Sequence, residues 1–425
     1  MQPSLIFPVA GRQNPPCINS NVTSVGSVSG GDKVERSETA QGNAAFGSYL
    51  KKVREGRRLS LDAVEELSAG FPEKVTKSHL SRIENGLALP SFPRLMALSH
   101  IYGMPIASLA ERYELDLRRG MAPVDLGGES DEVVLRGTVE LRKAGRHEEA
   151  LARLLAIGDR GESSGTPREH DVRIEIANCL FQTGRYEFAK TLCENLLSIQ
   201  SLSHTQRLQA TELFAMCCMA LGRYAVALMA LEQVAADLDS PETPPRTAAD
   251  LSAIRGNTYY LSGDSVRAIT ELTRAKLLYD GIPNHLESCR AGLMLSQALI
   301  ETERYGDAST AIQAELVVAE QQGFQKLRSI GLSHLCLLEY RRGDFRAAEA
   351  HANRSNVIAR QLEILQVVFR NSFYLWKIAR GRDDSPGAKT FERSLRALLG
   401  RIESQLPESE QFREFLARGD HDEHA

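Results

Sequence analysis

The chain has 425 residues, of which 42% are hydrophobic and 25% charged, and its formal net charge is -4. This balance excludes a protein that coats nucleic acid with positive charge along its whole length. It leaves room for a small DNA-binding domain within a larger neutral chain, because a few local cations hardly change the total. No run approaches the ~20 apolar residues of a membrane span. We therefore expect a cytoplasmic protein without a membrane partner.

Cysteine and histidine give no sign of a metal centre. The sequence has seven cysteines and no CxxC pair, so a zinc or redox site is not predicted. The acidic end "GDHDEH" contains His421 and His424, for which a flexible tail is the simpler interpretation. We predict no cofactor and no metal. Six cysteines fall in helix-like apolar patterns and are expected to be buried thiols: Cys179, Cys193, Cys217, Cys218, Cys289 and Cys336.

The sequence predicts three segments before the repeats: a tail, a helical domain and a linker. Residues 1–43 are rich in Ser, Gly, Asn and Val without a helical period, which predicts a disordered tail. Residues 44–116 carry five short amphipathic patterns and predict a small five-helix domain. Residues 117–129 contain Arg118, Gly120, Pro123 and further glycines, which is typical of a linker.

The third of these helices lies in "TKSHLSRIENG", residues 76–86. Leu80 and Ile83 are three residues apart and are predicted to face the core. Thr76 is a candidate N-cap, and Gly86 a candidate stop. The opposite face is polar, mostly small and cationic, and consists of Lys77, Ser78, Ser81 and Arg82.

A repeat of 38 to 41 residues occupies residues 130–404. Its turns align on an anchor residue, and five residues later stands an alanine, while seven residues earlier stands a small residue. Small facing residues allow the two helices of a pair to approach closely. The whole chain is therefore predicted to be all-α. The anchors are Gly145, Gly184, Gly222, Gly263, Glu303 and Gly343.

This pattern resembles the tetratricopeptide-repeat (TPR) family. The resemblance implies an α-solenoid of about six to seven TPR-like helix pairs, with a degenerate last unit, followed by a flexible tail at residues 405–425. It also implies a concave groove for a peptide or protein effector. Six residues before their anchors stand Asn178, Asn257 and Gln297, whose amides could pair with a peptide backbone or with neighbouring helices. Arg290 lies nearby for a carboxylate.

Residues 46–115 resemble the phage repressor/Cro type of helix-turn-helix domain, the XRE family. The motifs that carry the resemblance are "LKKVRE", "LSRIENG" and the proline that follows them. The resemblance implies that Arg54 and Glu84 form a buried structural ion pair. It implies double-stranded DNA as a partner, bound by a homodimer on paired half-sites, although the sequence does not locate a dimer surface.

The same resemblance assigns DNA contacts to the quoted helix and to the end of the first helix. It places base reading at Lys77, Ser78 and Arg82. The predicted DNA-binding set is Thr76, Lys77, Ser78, His79, Ser81 and Arg82, with Lys51, Arg57 and Arg58 for phosphates. The alternative is that these charges form ordinary solvated faces.

Two features depart from the family pattern. Leu61 replaces the usual glutamine at the start of the second helix, and the turn before Thr76 is about five residues longer than usual. No phosphate-binding loop, nucleophile elbow or HExxH motif is present, so an enzyme is not predicted. The sequence thus favours a transcription regulator whose TPR-like domain senses an effector. The alternative is a TPR-type interaction scaffold whose head no longer binds DNA.

Overall fold

The computed structural model describes residues 35–121, 124–160, 167–402 and 406–422. All regular structure in these residues is helical, which confirms the all-α prediction. Contacts divide them into two compact units, an N-terminal unit that ends at Cys217 and a C-terminal unit that begins at Cys218. In the part of the chain that the structure describes, no helix is long and apolar enough to cross a membrane.

The N-terminal unit begins with the five predicted helices, which we call the head. Their bounds are α1 (Glu35–Gly56), α2 (Leu61–Leu67), α3 (Lys77–Glu84), α4 (Phe92–Ile101) and α5 (Ile106–Met121). α1 begins inside the segment predicted as a tail, because "ERSETAQ" is rich in helix-favouring residues. Residues 1–34 lie outside the described residues. α5 extends into the predicted linker. Arg112 and Asp116, one helical turn apart on α5, form an ion pair of 2.7 Å that stabilises this helix.

One apolar core holds the head together. α1 contributes Phe46 and Leu50 at one-turn spacing, and α3 contributes Leu80 and Ile83, all of them buried. Burying a side chain of this size contributes roughly 1.5–3 kcal/mol. Because one face of α3 packs in the core, the opposite face points away from it.

Helix pairs follow the head. Their bounds are α6 (Asp131–Lys143), α7 (His147–Arg160), α8 (Pro167–Gln182), α9 (Tyr186–Leu197), α10 (His204–Ala220), α11 (Tyr224–Gln233), α12 (Pro245–Leu261), α13 (Ser265–Asp280), α14 (His285–Glu301), α15 (Tyr305–Gln321), α16 (Gln325–Arg342), α17 (Phe345–Gln361), α18 (Leu365–Gly381) and α19 (Ser385–Leu399). The first helix of each pair carries the motif before the anchor, and the second carries the alanine after it. We call the first helices inner and the second helices outer.

Within the N-terminal unit, α5 of the head packs on α9. The Glu111 carboxylate accepts a hydrogen bond of 2.8 Å from the backbone N–H of Phe188 in the first turn of α9. Burial raises the pKa of Glu111. Arg185, just before α9, lies 2.9 Å from Glu148 and 3.5 Å from Glu114 of α5. The head and the second helix pair are therefore joined by partly buried polar contacts, from Glu111 and Glu114 of α5, as well as by the chain.

The anchors of the repeat occupy a left-handed backbone conformation. The five anchor glycines have φ between 72° and 91°, which is accessible to glycine without a steric penalty. Glu303 takes the same conformation at φ 60°, as does Asp383 at φ 58° after α18. The turn pattern in the sequence therefore identifies the residue that ends each inner helix.

The small residues of the repeat lie where helices cross. All six alanines that follow the anchors are fully buried. At Gly256, seven residues before its anchor, an added Cβ would lie 2.7 Å from the Leu272 side chain and 3.0 Å from its backbone nitrogen. A larger residue there would separate α12 from α13. The prediction of close helix pairs is confirmed at this crossing.

The C-terminal end corrects one prediction. Residues 405–425 were predicted to be a flexible tail, but α20 (Pro407–Asp422) is a helix with Phe412 fully buried. Leu406, Phe412 and Phe415 give it an apolar side, which the acidic end of the sequence conceals. His421 has no described side chain and His424 lies outside the described residues, so the structure does not bear on a metal site there.

The six cysteines predicted to be buried thiols are buried. Burial raises the pKa of Cys179, Cys289 and Cys336 to about 12. These three thiols are therefore protonated near neutral pH and are poor nucleophiles.

Candidate nucleic-acid interface and inner groove

The local sequence fixes both ends of α3. The Thr76 hydroxyl accepts a hydrogen bond from the backbone N–H of His79 at 3.3 Å and caps the helix. Gly86 follows the helix at φ 69°, and an added Cβ there would lie 2.6 Å from the Cα of Ala44 in α1. The predicted cap and stop are both confirmed, and the stop requires glycine for its conformation and for space.

A buried ion pair ties the end of α3 to α1. Arg54 donates from Nε to one oxygen of Glu84 at 2.7 Å and from Nη2 to the other at 2.9 Å. Its Nη1 donates to the backbone carbonyl of Leu59 at 2.8 Å. The two side chains are 10% and 4% exposed. The hydrogen bond to Glu84 raises the pKa of Arg54, and the two contacts to one carboxylate fix the orientation of the end of α3.

The outer face of α3 is open. The residues assigned to DNA contact are exposed at Thr76, Lys77, Ser78 and Arg82 and half-buried at His79 and Ser81. The side chain of Arg82 makes no hydrogen bond or ion pair with the described residues. Arg94 forms a 2.9 Å contact with the His79 ring, and burial together with Arg94 lowers the pKa of His79. The structure thus places this set on one short helix.

Two carboxylates stand at the start of α3, which the sequence interpretation missed. Asp62 lies 2.8 Å from the Lys77 ammonium, and Glu65 accepts a hydrogen bond from the Lys77 backbone N–H at 2.6 Å. Lys74 hydrogen-bonds to Glu65 and lowers the pKa of that carboxyl. An exposed pair such as Asp62–Lys77 contributes only ~0.2–1 kcal/mol. Lys77 can therefore exchange Asp62 for another anion at small cost.

The long connection from α2 to α3, residues 68–76, is firmly anchored. Val75 is buried, and its N–H donates to the Ser68 hydroxyl at 2.9 Å. Glu73 forms an ion pair of 2.9 Å with Arg94 of α4 and a hydrogen bond with Ser91. These contacts define the direction in which α3 begins.

The residues predicted for phosphate contact lie in the last part of α1 and directly after it. Lys51, Arg57 and Arg58 are all exposed. Arg58 has a left-handed backbone with φ 57°. Leu61, which replaces the family's glutamine, is the first residue of α2 and packs against the head core, so it offers no hydrogen bond to a base.

Two amides occupy equivalent positions on inner helices of the C-terminal unit, where the TPR resemblance predicts a groove. Asn257 of α12 and Gln297 of α14 occupy the same position in successive repeats and are only 2% and 4% exposed. Asn257 Nδ2 and Gln297 Oε1 have no hydrogen-bond partner among the described residues. Asn178, in the N-terminal unit, is half-buried. The two buried amides therefore present polar atoms that remain to be satisfied.

Arg290, predicted to be available for a ligand carboxylate, contacts Glu287 of the same helix at 2.6 Å. This pair is local, since residues three apart on a helix are neighbours. His334 of the inner helix α16 is completely buried, and burial with Arg370 lowers its pKa to about 3. His334 is therefore neutral near pH 7.

Within the described ranges, no group of three or more His, Cys, Asp and Glu side chains is arranged to hold a metal ion.

Comparison with known families identifies the head. A family model described as a helix-turn-helix domain matches residues 45–112. The chain therefore contains a helix-turn-helix domain, and a TPR-like domain follows it. No curated protein sequence matches the chain.

Solved structures with similar folds have low sequence identity. The apo form of RapI is 12% identical, and the match covers 66% of this chain and 79% of RapI with a TM-score of 0.53. Bacillus thuringiensis PlcR, in complex with the peptide PapR7 and DNA, is 15% identical over 68% of this chain and 99% of PlcR, with a TM-score of 0.41. Aspartyl phosphate phosphatase F of Bacillus subtilis is 12% identical over 91% and 97%, with a TM-score of 0.44. Of these three structures, RapI is the one whose TM-score exceeds 0.5, and its likeness concerns the fold alone.

Proposed function

We propose that this protein is a one-component transcription regulator of the XRE type. Its head binds duplex DNA through α3, and its TPR-like domain senses a peptide or protein effector. The observation that carries the proposal is the open polar face of α3, on a helix that a buried ion pair and a cap hold in a fixed orientation. A helix presented in this way can enter the major groove with its N-terminal half.

The side chains on this face suit base edges and phosphates. Arg82 is exposed and uncommitted to any carboxylate in the described residues, so it can fork onto a guanine. Ser78 is small enough to allow close approach. Lys77 can leave Asp62 for a phosphate or a base, and Lys51, Arg57 and Arg58 supply further cations for the backbone.

Arg82→Ala tests base reading. The variant is expected to lose about 1–3 kcal/mol of discrimination at one base pair, because a bidentate contact to guanine disappears while the fold is kept. The operator is first selected from random-sequence duplexes at low salt. Affinities of wild type and variant are then measured on duplexes with each base at every position.

The matched control is Arg346→Ala, which removes an exposed arginine from α17 in the solenoid. It should leave DNA affinity unchanged. Base reading by Arg82 would be refuted by a variant that weakens binding equally to every sequence. DNA binding as a whole requires affinity to fall as salt rises, because phosphate contacts release counterions.

A scaffold whose head does not bind DNA is the second candidate. The observation that favours it is the pair of carboxylates, Asp62 and Glu65, at the N-terminus of α3, where a DNA phosphate would be repelled. Absence of binding to any random-sequence duplex at about 50 mM salt, where backbone contacts are strongest, would favour the scaffold.

The effector half of the proposal rests on the buried amides of the groove. Asn257 and Gln297 each have an unsatisfied polar atom, and an extended peptide backbone supplies donors and acceptors for both. Changing both to leucine should weaken peptide binding by roughly tenfold for each hydrogen bond lost. Peptides selected from a random library on the wild-type protein provide the probe.

Gln313→Leu is the matched control, since this exposed amide lies on the outer helix α15. It should retain wild-type peptide affinity. Circular dichroism should show that both variants keep the helicity of the wild type. Unchanged affinity in the Asn257→Leu/Gln297→Leu variant would exclude these amides from effector binding.

A further inference from the structure

A cleft of about 450 Å³ in the C-terminal unit is lined by residues of α18 and α20. Each helix contributes pairs of residues four apart, which share one face of a helix. The lining consists of three aromatic residues, three cations, a carboxylate and an amide: Phe373, Trp376 and Phe415; Lys377, Arg380 and Arg418; Glu414; and Gln411. Its size suits a small organic molecule, since ordinary ligand sites enclose roughly 300–1,000 Å³.

Aromatic rings hold α20 against α18 at this cleft. The ring centre of Trp376 lies 5.4 Å from that of Phe412 and 4.8 Å from that of Phe415, and both contacts are edge-on. Trp376 and Phe412 are buried. Edge-to-face contacts between aromatic rings are favourable, so the fold itself positions the two walls of the cleft.

Two cations of the cleft lie over these rings. The guanidinium carbon of Arg380 is 4.9 Å from the ring centre of Trp376 and 4.7 Å from that of Phe415. The ammonium of Lys377 is 5.3 Å from the ring centre of Phe373. A ring face attracts a cation without neutralising its charge. Both cations therefore retain their charge for a ligand.

The charges that line the cleft are not balanced. Lys377, Arg380 and Arg418 form no ion pair with a carboxylate of the described residues, and Glu414 forms none with a described cation. Three cations thus line the cleft together with one carboxylate, which leaves an excess of two positive charges. A ligand with two negative charges would compensate this excess.

The indole of Trp376 adds a donor that the protein does not use. Its Nε1 is buried and has no hydrogen-bond partner among the described residues. An indole N–H, like a guanidinium or an ammonium, can donate a hydrogen bond but cannot accept one. A buried donor without an acceptor is unfavourable. The lining of the cleft therefore calls for a ligand rich in acceptor oxygens.

We propose that this cleft binds a small aromatic dianion, whose carboxylate or phosphate oxygens contact Lys377, Arg380 and Arg418. A guanidinium matches the geometry of either oxyanion with two parallel hydrogen bonds. The aromatic lining favours a flat apolar body over a hydrated inorganic ion. The dianion bridges α18 and α20 and holds α20 in place. The inference goes beyond the proposed regulator function and does not depend on it.

The test uses the full chain, whose single tryptophan lines the cleft and reports on it by fluorescence. Isophthalate and phenyl phosphate are the two dianionic probes, and isophthalamide is the neutral probe of similar shape. At least one dianion should bind saturably and change the tryptophan fluorescence. Isophthalamide should bind at least roughly tenfold more weakly than isophthalate, because it lacks charge-assisted hydrogen bonds. The dianion that binds more tightly identifies carboxylate or phosphate as the preferred group.

Two variants of α20 should change the affinity for this tighter dianion in opposite directions. Arg418 and Glu414 are exposed, so neither substitution should disturb the fold. Arg418→Gln should weaken binding by roughly tenfold, because a charge-assisted contact is lost. Glu414→Gln should strengthen it by up to about fivefold, because a repelling charge is removed. Arg413→Gln changes an exposed arginine of the same helix outside the cleft and should bind as wild type does.

Hydrogen–deuterium exchange on the wild-type chain measures the bridge between the helices. Saturating dianion should slow exchange of the α20 amides, and unchanged exchange would refute the bridge. The absence of saturable binding of both dianions would overturn the proposal. Inorganic phosphate bound as tightly as the better dianion would also overturn it, as an adventitious ion only. Equal affinities of Arg418→Gln and wild type would remove the cations of α20 from the site.

Discussion

Glu84→Ala is expected to lower the free energy of unfolding of the head by about 3–5 kcal/mol. The change removes the two hydrogen bonds between Arg54 and Glu84, so the guanidinium stays buried against the Leu59 carbonyl with no carboxylate in hydrogen-bond contact. Hydrogen–deuterium exchange of the α1 and α3 amides in the full chain measures the loss. The single tryptophan lies at position 376, in the C-terminal unit, so its fluorescence cannot report on the head.

Glu55→Ala is the matched control. Glu55 also lies near Arg54, at 3.6 Å, but its side chain is 55% exposed, so its removal should cost less than about 1 kcal/mol. A double variant, Arg54→Met with Glu84→Met, should recover much of the loss, because apolar residues of similar size leave no buried charge. Equal exchange rates in Glu84→Ala and wild type would show that the pair does not stabilise the head.

Local patterns predicted much of this fold because their causes are local. The cap at Thr76 and the stop at Gly86 depend on the backbone conformation of single residues. The anchors of the repeat, such as Gly263, are recognisable because every inner helix ends in the same left-handed turn. The buried alanines follow from the same period.

The parts that could not be predicted depend on contacts between distant segments. Asp62 and Glu65 meet Lys77 because the long connection is held by Glu73 and α4, and no spacing in the sequence indicates this. α20 looks like a tail because a single enclosed helix has no repeat to align with. Its burial depends on contacts with distant residues, such as the ion pair between Glu408 and Arg370, 38 residues earlier.

The buried amides combine a feature that the sequence predicts with one that it does not. Their register, six residues before each anchor, was visible in the sequence and places Asn257 and Gln297 at equivalent positions. Their deep burial was not visible, because it depends on neighbouring helices. For Arg290 the ion pair with Glu287 on the same helix was not anticipated from the sequence.

Gly47→Ala is expected to destabilise the head by about 3 kcal/mol, because α1 and α3 touch at this glycine. An added Cβ at position 47 would lie 2.2 Å from the carbonyl oxygen of Ile83 and 2.7 Å from that of Glu84. Both atoms belong to the backbone of α3, so no side-chain rotation can relieve the overlap. The higher helix propensity of alanine stabilises α1 by only about 1 kcal/mol, which does not offset this loss.

Gly56→Ala supplies the control for the same chemical change on the same helix. An added Cβ at position 56 meets no atom within 4 Å, so this variant should be neutral or stabilised by up to about 1 kcal/mol. Exchange protection of the α1 and α3 amides is measured for both variants, together with affinity for the selected operator. Because displacement of α3 at Ile83 and Glu84 moves the face that carries Arg82, Gly47→Ala should also weaken operator binding. A Gly47→Ala head as protected as that of Gly56→Ala would mean that α1 and α3 are farther apart than the structure places them.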